Sequence, residues 1–207
     1  MNYLAHLLLS HGTPAAITGA ILGDFVKGSA VAAWDPAVQE AIRLHRAVDR
    51  YTDRHPLPAA SRALVSPERR RFAGVVVDMF YDHFLARHWA RYHDRALPDF
   101  AREVYAVLLP QRARFPQRLQ RILPYMAQDD WLGAYADVAS VDRALRGLAR
   151  RLRYPERAAP LAGAIVELER NYDAFEAHFS AFFPQLRAYA AGRAREADGT
   201  EARRRAR

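Results

Sequence analysis

Cysteine is absent from these 207 residues. No disulfide framework, thiol nucleophile or thiolate metal ligand is therefore available, and the composition suits a reducing cytoplasm. Lysine is nearly missing too: Lys27 is the single one among 31 basic residues, the rest being arginine. No apolar run approaches the ~20 residues needed to cross a bilayer. The N-terminal stretch carries no basic lead, and His6, Ser10 and His11 interrupt it. We read the chain as soluble and cytoplasmic, with no membrane partner. Alternating strand patterns are also scarce, whereas helical spacing recurs throughout.

What is present is hydrophobic content of 51% and a net charge of +8. That suffices for one domain with a full core. The sequence predicts a single compact all-α domain over residues 1–192, followed by an Arg-rich tail. The tail, Arg193–Arg207, sets six Arg against Glu196, Asp198 and Glu201 and lacks large apolar residues; its composition reads as disordered. Predicted helices cover about 2–10, 14–23, 36–54, 67–93, 98–110, 115–127, 141–153 and 160–190. In the last of these Leu161, Ile165, Leu168, Tyr172, Phe175, Phe179 and Phe182 step by alternating fours and threes, the stripe of a core-facing helix.

Other basic residues cluster at Arg69–Arg71, Arg112–Arg121 and Arg143–Arg153. The charge calls for an acidic partner. No nucleic-acid motif accompanies it, and the aromatics lie in apolar stripes rather than on basic faces, so nucleic acid is not expected.

Residues 76–89, VVDMFYDHFLARHW, place two aspartates and a histidine inside a strongly apolar run. Asp78 and Asp82 are four apart and stack on one helix face, with His83 about 100° further round. Two carboxylates in such a setting need a cation, a metal or dense hydrogen bonding to offset desolvation. Segment 43–56, RLHRAVDRYTDRHP, repeats the device with His45, Asp49 and Asp53 inside an arc of roughly 80°. His6 in MNYLAHLLLS and Asp24 in GAILGDFVKG complete the candidates. Imidazole and carboxylate together suit Zn, Mn or Fe. Bland alternatives stand beside this reading: Asp49 and Asp53 as partners of Arg46, Arg50 or Arg54, His6 as a satisfied core histidine, and Asp24 as a turn residue after Gly23.

With these pieces in order, the chain resembles the acyl carrier protein phosphodiesterase family. The matching segments are MNYLAHLLLS, GAILGDFVKG, LHRAVDRYTD at 44–53, DMFYDHFLARHW at 78–89, YMAQDDWLGAYADVASVDRALRGLARR at 125–151 and LERNYDAFEAHFSAFFP at 168–184. The resemblance implies an HD-domain-like, all-helical phosphohydrolase that favours manganese. Its implied reaction splits the phosphodiester joining 4′-phosphopantetheine to a serine of holo-acyl carrier protein, a strongly acidic substrate. The functional positions then fall on His6, Asp24, His45, Asp49, Asp78, Asp82 and His83. Among these Asp24, His45, Asp78 and Asp82 are expected as metal ligands, with His6 as a ligand or its orienter. Asp49 would position a ligand or the attacking water, and His83 would protonate the departing serine oxygen or act as a further ligand. Lys27, Arg46 and Arg50 are the candidates for phosphate contacts. The usual His-Asp dipeptide of HD enzymes appears reversed, as Asp82-His83, while the literal His93-Asp94 lies outside the matching segments. Two other readings compete: an HD-like phosphohydrolase of a nucleotide or other small phosphodiester, and a non-catalytic helical module that binds an acidic partner. Oligomeric state is not legible.

Overall fold

The computed structural model describes residues 1–205 except 11 and 152–154, with the side chains of 155 and 197–205 also outside the description. Its elements are helices and turns, with no strand among the described residues. The first four helices are α1 (Tyr3–Leu9), α2 (Pro14–Leu22), α3 (Pro36–Arg54) and α4 (Pro56–Leu64). After a 3₁₀ turn at Pro67–Phe72 come α5 (Ala73–Arg87), α6 (Leu97–Leu108), α7 (Gln117–Gln128) and the one-turn α8 (Trp131–Ala134). The chain closes with α9 (Val138–Arg151), α10 (Pro155–Ala158), α11 (Ile165–Arg170) and α12 (Tyr172–Arg205).

Helix α5 is the axis of the molecule. Val76, Val77, Phe80, Tyr81, Phe84 and Leu85 are all buried, so it is covered on nearly every side, as its apolar circumference predicted. Around it pack α1, α4, α9 and α12. Phe175, Phe179, Phe182 and Phe183 of α12 are fully buried against this axis. The expected stripe is thus core, but its helix is not continuous: Asn171, at φ −123°, separates α11 from α12. The backbone of α12 then runs on through 193–205, the segment whose composition reads as a disordered tail. Ala, Arg and Glu are strong helix formers there, and Arg193 pairs with Glu196 at 3.0 Å.

Three helices, α4, α8 and the one-turn α10, escaped the periodicity. The Pro-rich start of α4 reads as a loop, yet proline suits the first helical position, and the His55 ring accepts the Leu57 N–H at 3.2 Å as an N-cap. α8 is too short to show a period. It begins at Asp130, whose backbone is left-handed at φ 42° and whose carboxylate accepts the Gly133 N–H.

Two glycines decide how α2 meets α3. A Cβ on Gly19 would lie 2.4 Å from Ala41 Cβ and 2.5 Å from the Val38 carbonyl. The two helices therefore cross backbone against side chain, which brings the end of α2 up to the middle of α3. At Gly23 a Cβ would lie 2.2 Å from His45 Cγ, so the ring of His45 rests on bare backbone.

Candidate metal centre

His45 stands on α3 with its ring wedged against Gly23. Its Nδ1 meets the Ala20 carbonyl at 2.7 Å. That carbonyl belongs to the last turn of α2, where helical partners run out. A carbonyl only accepts, so Nδ1 carries the proton and the lone pair of the neutral ring sits on Nε2. One turn along α3, Asp49 places Oδ2 3.2 Å from His45 Nε2. Its other oxygen is 3.0 Å from His6 Nε2. The rings of His6 and His45 stack with centroids 3.6 Å apart and 12° between planes. Donor atoms of His6, His45 and Asp49 all lie within 4.8 Å of one another.

Two further carboxylates flank this triad. Asp24, in the turn after Gly23, reaches within 3.5 Å of His45 Nε2. Asp78 lies across the cluster, 3.0 Å from the Met1 amino group, which is itself 3.7 Å from Asp49. The structure thus gathers His6, Asp24, His45, Asp49 and Asp78, five of the positions chosen from the sequence.

The charges are arranged around one shared proton. Burial opposes a charge on His45, but Asp24 and Asp49 outweigh it and raise the imidazole to about 9. His6 goes the other way: burial, then the neighbouring His45, lower it to about 4. Burial works against ionising Asp49 and Asp24, yet the imidazoles hold both carboxyls below the ordinary range. Asp78 is raised, chiefly by burial. Meanwhile His45 Nε2 and His6 Nδ1 are buried without a well-formed hydrogen bond. His45 Nε2 and His6 Nε2 both face the Asp49 carboxylate, at 3.2 and 3.0 Å, and imidazole with carboxylate is a donor set of a divalent transition metal. The residues present fit such an ion.

Asp82 and His83 are turned elsewhere, correcting the expected ligand and acid roles. Both Asp82 oxygens accept backbone N–H groups, from Leu4 at 2.8 Å and Ala5 at 3.2 Å. This carboxylate caps α1, where Asn2 makes no side-chain cap of its own. It fixes the turn that presents His6. Burial raises it to about 7. His83 points away from the cluster: Nδ1 donates to the Tyr135 carbonyl at 2.8 Å, and Nε2 accepts from the Tyr172 hydroxyl at 2.9 Å. The 100° step along a helix explains the separation. His93 stacks on Trp89 and accepts the Arg95 N–H, away from the cluster.

None of the phosphate candidates Lys27, Arg46 and Arg50 lines the space beside the cluster. Arg46 donates to the Val26 carbonyl at 2.7 Å, a structural clamp. Arg50 is exposed on α3, and Lys27 lines a separate depression with Trp34 and Arg114. A cleft of about 880 Å³ instead opens beside the cluster, with Asp24 and Asp78 in its wall and Arg118, Arg121 and Arg151 around it. These arginines belong to clusters visible in the sequence; only their convergence was hidden.

Comparison with known proteins decides the family. The family model described as acyl carrier protein phosphodiesterase matches residues 1–186. The chain belongs to this family. It is 39% identical over 187 residues to the acyl carrier protein phosphodiesterase of Serratia proteamaculans, covering 90% of this chain and 95% of the relative. The proteins of the same name from Yersinia enterocolitica and Salmonella agona are 36% and 34% identical, the latter covered along its whole length. No solved structure matches the chain. Among the described residues, no helix is long and apolar enough to cross a membrane.

Proposed function

We propose that this chain hydrolyses the phosphodiester between 4′-phosphopantetheine and a serine of holo-acyl carrier protein, with manganese as its divalent metal. The observation that carries the proposal is the stacked His6–His45 pair, whose Nε2 atoms both face Asp49, with Asp24 beside them. Family membership supplies the substrate, and the net charge of +8 suits an acidic protein.

His6, His45 and Asp49 would hold the metal, with Asp24 and Asp78 at its sides. When bound, the ion supplies Lewis acidity and positive charge against the phosphodiester anion. The chain's own residues prepare the rest. Ala20 fixes the His45 tautomer, leaving Nε2 for the ion. Asp82 anchors the helix that carries His6. Asp78 opens on the cleft, with 33% of its side chain exposed, and burial favours its protonated form. It takes the acid–base role for which His83 is not placed. Reaction gives the free serine hydroxyl and 4′-phosphopantetheine, with water supplying the oxygen and both protons.

Intact-mass spectrometry of holo-carrier protein incubated with the enzyme and manganese tests this. The carrier should lose the mass of phosphopantetheine and keep an unmodified serine. A mass unchanged in Mn, Mg, Co and Zn refutes the proposal. Conversion of small phosphodiesters alone would move the enzyme to a different substrate class.

A further inference from the structure

Resting on the carrier-protein reading, we infer that the cleft beside the metal cluster is the seat of the phosphopantetheine arm. Its anion and amide donors are Arg118, Arg121 and Arg151, and Trp131 forms its apolar wall. None of these residues was singled out for this role by the sequence motifs.

The cleft is built from faces of two helices. On α7, Arg118, Arg121, Ile122 and Tyr125 recur at helical spacing, and on α9 Ala144, Leu148 and Arg151 do the same. All line one cavity of about 880 Å³, within the range that holds a small molecule. Its wall reaches the cluster at Asp24 and Asp78.

The arginines are set apart by what they lack. Outward on α9, Arg143 lies 3.6 Å from Asp137 and Arg146 lies 2.7 Å from Asp142. Arg118, Arg121 and Arg151, facing the cleft, form no ion pair among the described residues. Two of them rest on aromatic faces instead: the Arg118 guanidinium is 5.5 Å from the Phe25 centroid and that of Arg151 is 5.1 Å from Trp131. Such stacking holds the planar fork without consuming its donors. Trp131 is itself held by the left-handed turn at Asp130.

A ligand fitting this cleft is anionic at the metal end and carries hydrogen-bond acceptors along a partly apolar body. Phosphopantetheine has that order of groups: a phosphate, a gem-dimethyl carbon, two amides and a thiol tail. The scissile bond lies between phosphate and protein. The carrier therefore stays at the mouth while the arm extends along the cleft, and the freed arm is the product bound there.

Calorimetric titration of the manganese-loaded protein with free 4′-phosphopantetheine, inorganic phosphate and pantetheine tests the assignment. Phosphopantetheine should bind more tightly than either fragment. Arg118→Ala, Arg121→Ala and Arg151→Ala should each weaken it about tenfold, the loss of one charge-assisted hydrogen bond. Trp131→Ala should weaken phosphopantetheine and pantetheine alike, and weaken inorganic phosphate no more than Arg151→Ala does, since its ring steadies the Arg151 guanidinium. Circular dichroism confirms that each variant is folded; Arg118→Gln and Arg151→Gln, which keep the stem, stand in for any that is not. Equal binding of phosphate and phosphopantetheine, or arginine variants that bind like wild type, overturns the inference. These outcomes leave the hydrolase reading intact, because that reading falls only if wild-type enzyme releases no phosphopantetheine from holo-carrier protein.

Discussion

Replacing Gly23 by alanine ought to stabilise an ordinary helix end. Its backbone is right-handed helical, φ −50° and ψ −37°, which alanine adopts freely, and such changes usually gain about 0.4–1 kcal/mol. The tertiary structure reverses the sign. The new methyl would stand 2.2 Å from His45 Cγ and 2.5 Å from its Nδ1. Carbon contacts need about 3.5–4.0 Å, so the ring must retreat by more than an ångström. It has no room: the His6 ring covers its other face at 3.6 Å. Overpacking of this kind costs about 1–3 kcal/mol. Loss of the Nδ1 bond to Ala20 adds about 1 kcal/mol. A total of roughly 2–4 kcal/mol lowers Tm by about 5–15 °C in a chain of this size. The same displacement moves Nε2, so manganese affinity should fall about 10- to 100-fold, as when an orienting partner of a ligand is removed. Differential scanning calorimetry and manganese titration read both effects. A Gly23→Ala protein as stable as wild type that binds manganese equally well refutes the placement of His45.

Metal binding should strengthen with pH, because in the metal-free protein the ion must displace the proton that Asp24 and Asp49 hold on His45. Manganese affinity should rise about tenfold per pH unit between pH 7 and the His45 value of about 9, then level off; a flat profile counts against His45 as a ligand. The stability of the metal-free protein carries the opposite sign. The His45 contribution is complete below its unfolded value near 6.5 and disappears as pH rises through about 9, visible as a falling Tm. Asp49→Ala should lose the metal and turnover together. Asp82→Ala should keep the metal while losing about 1–2 kcal/mol, the cost of a helix cap, and metal content with Tm separates the two. Far from the site, fully buried Glu167 accepts from Ser66 and pairs with Arg69 at 3.0 Å. Glu167→Ala should cost about 1–3 kcal/mol in urea unfolding by leaving the Ser66 donors without their acceptor, while Arg69 keeps Glu68 at 2.6 Å; a loss under about 0.5 kcal/mol would mean that solvent reaches Ser66.

The sequence by itself determined the helical class, the buried character of α5 and the aromatic stripe of α12, because each is a periodic pattern that local geometry converts into a face. It also offered His6, Asp24, His45, Asp49 and Asp78 as candidates, since charged and imidazole groups in apolar surroundings carry an energetic cost visible in one dimension. Spacing could not assign their roles. Asp78 and Asp82 share a face by the i, i+4 rule, yet one opens on the cleft and the other meets the amide groups of α1. Only the docking of α1 against α5 makes that distinction. The close approach at Gly19 and Gly23, the stacking of two histidines 39 positions apart in sequence, and the convergence of Arg118, Arg121 and Arg151 from two helices depend on contacts between distant segments. Local propensity does not encode such contacts. Packing of whole helices does.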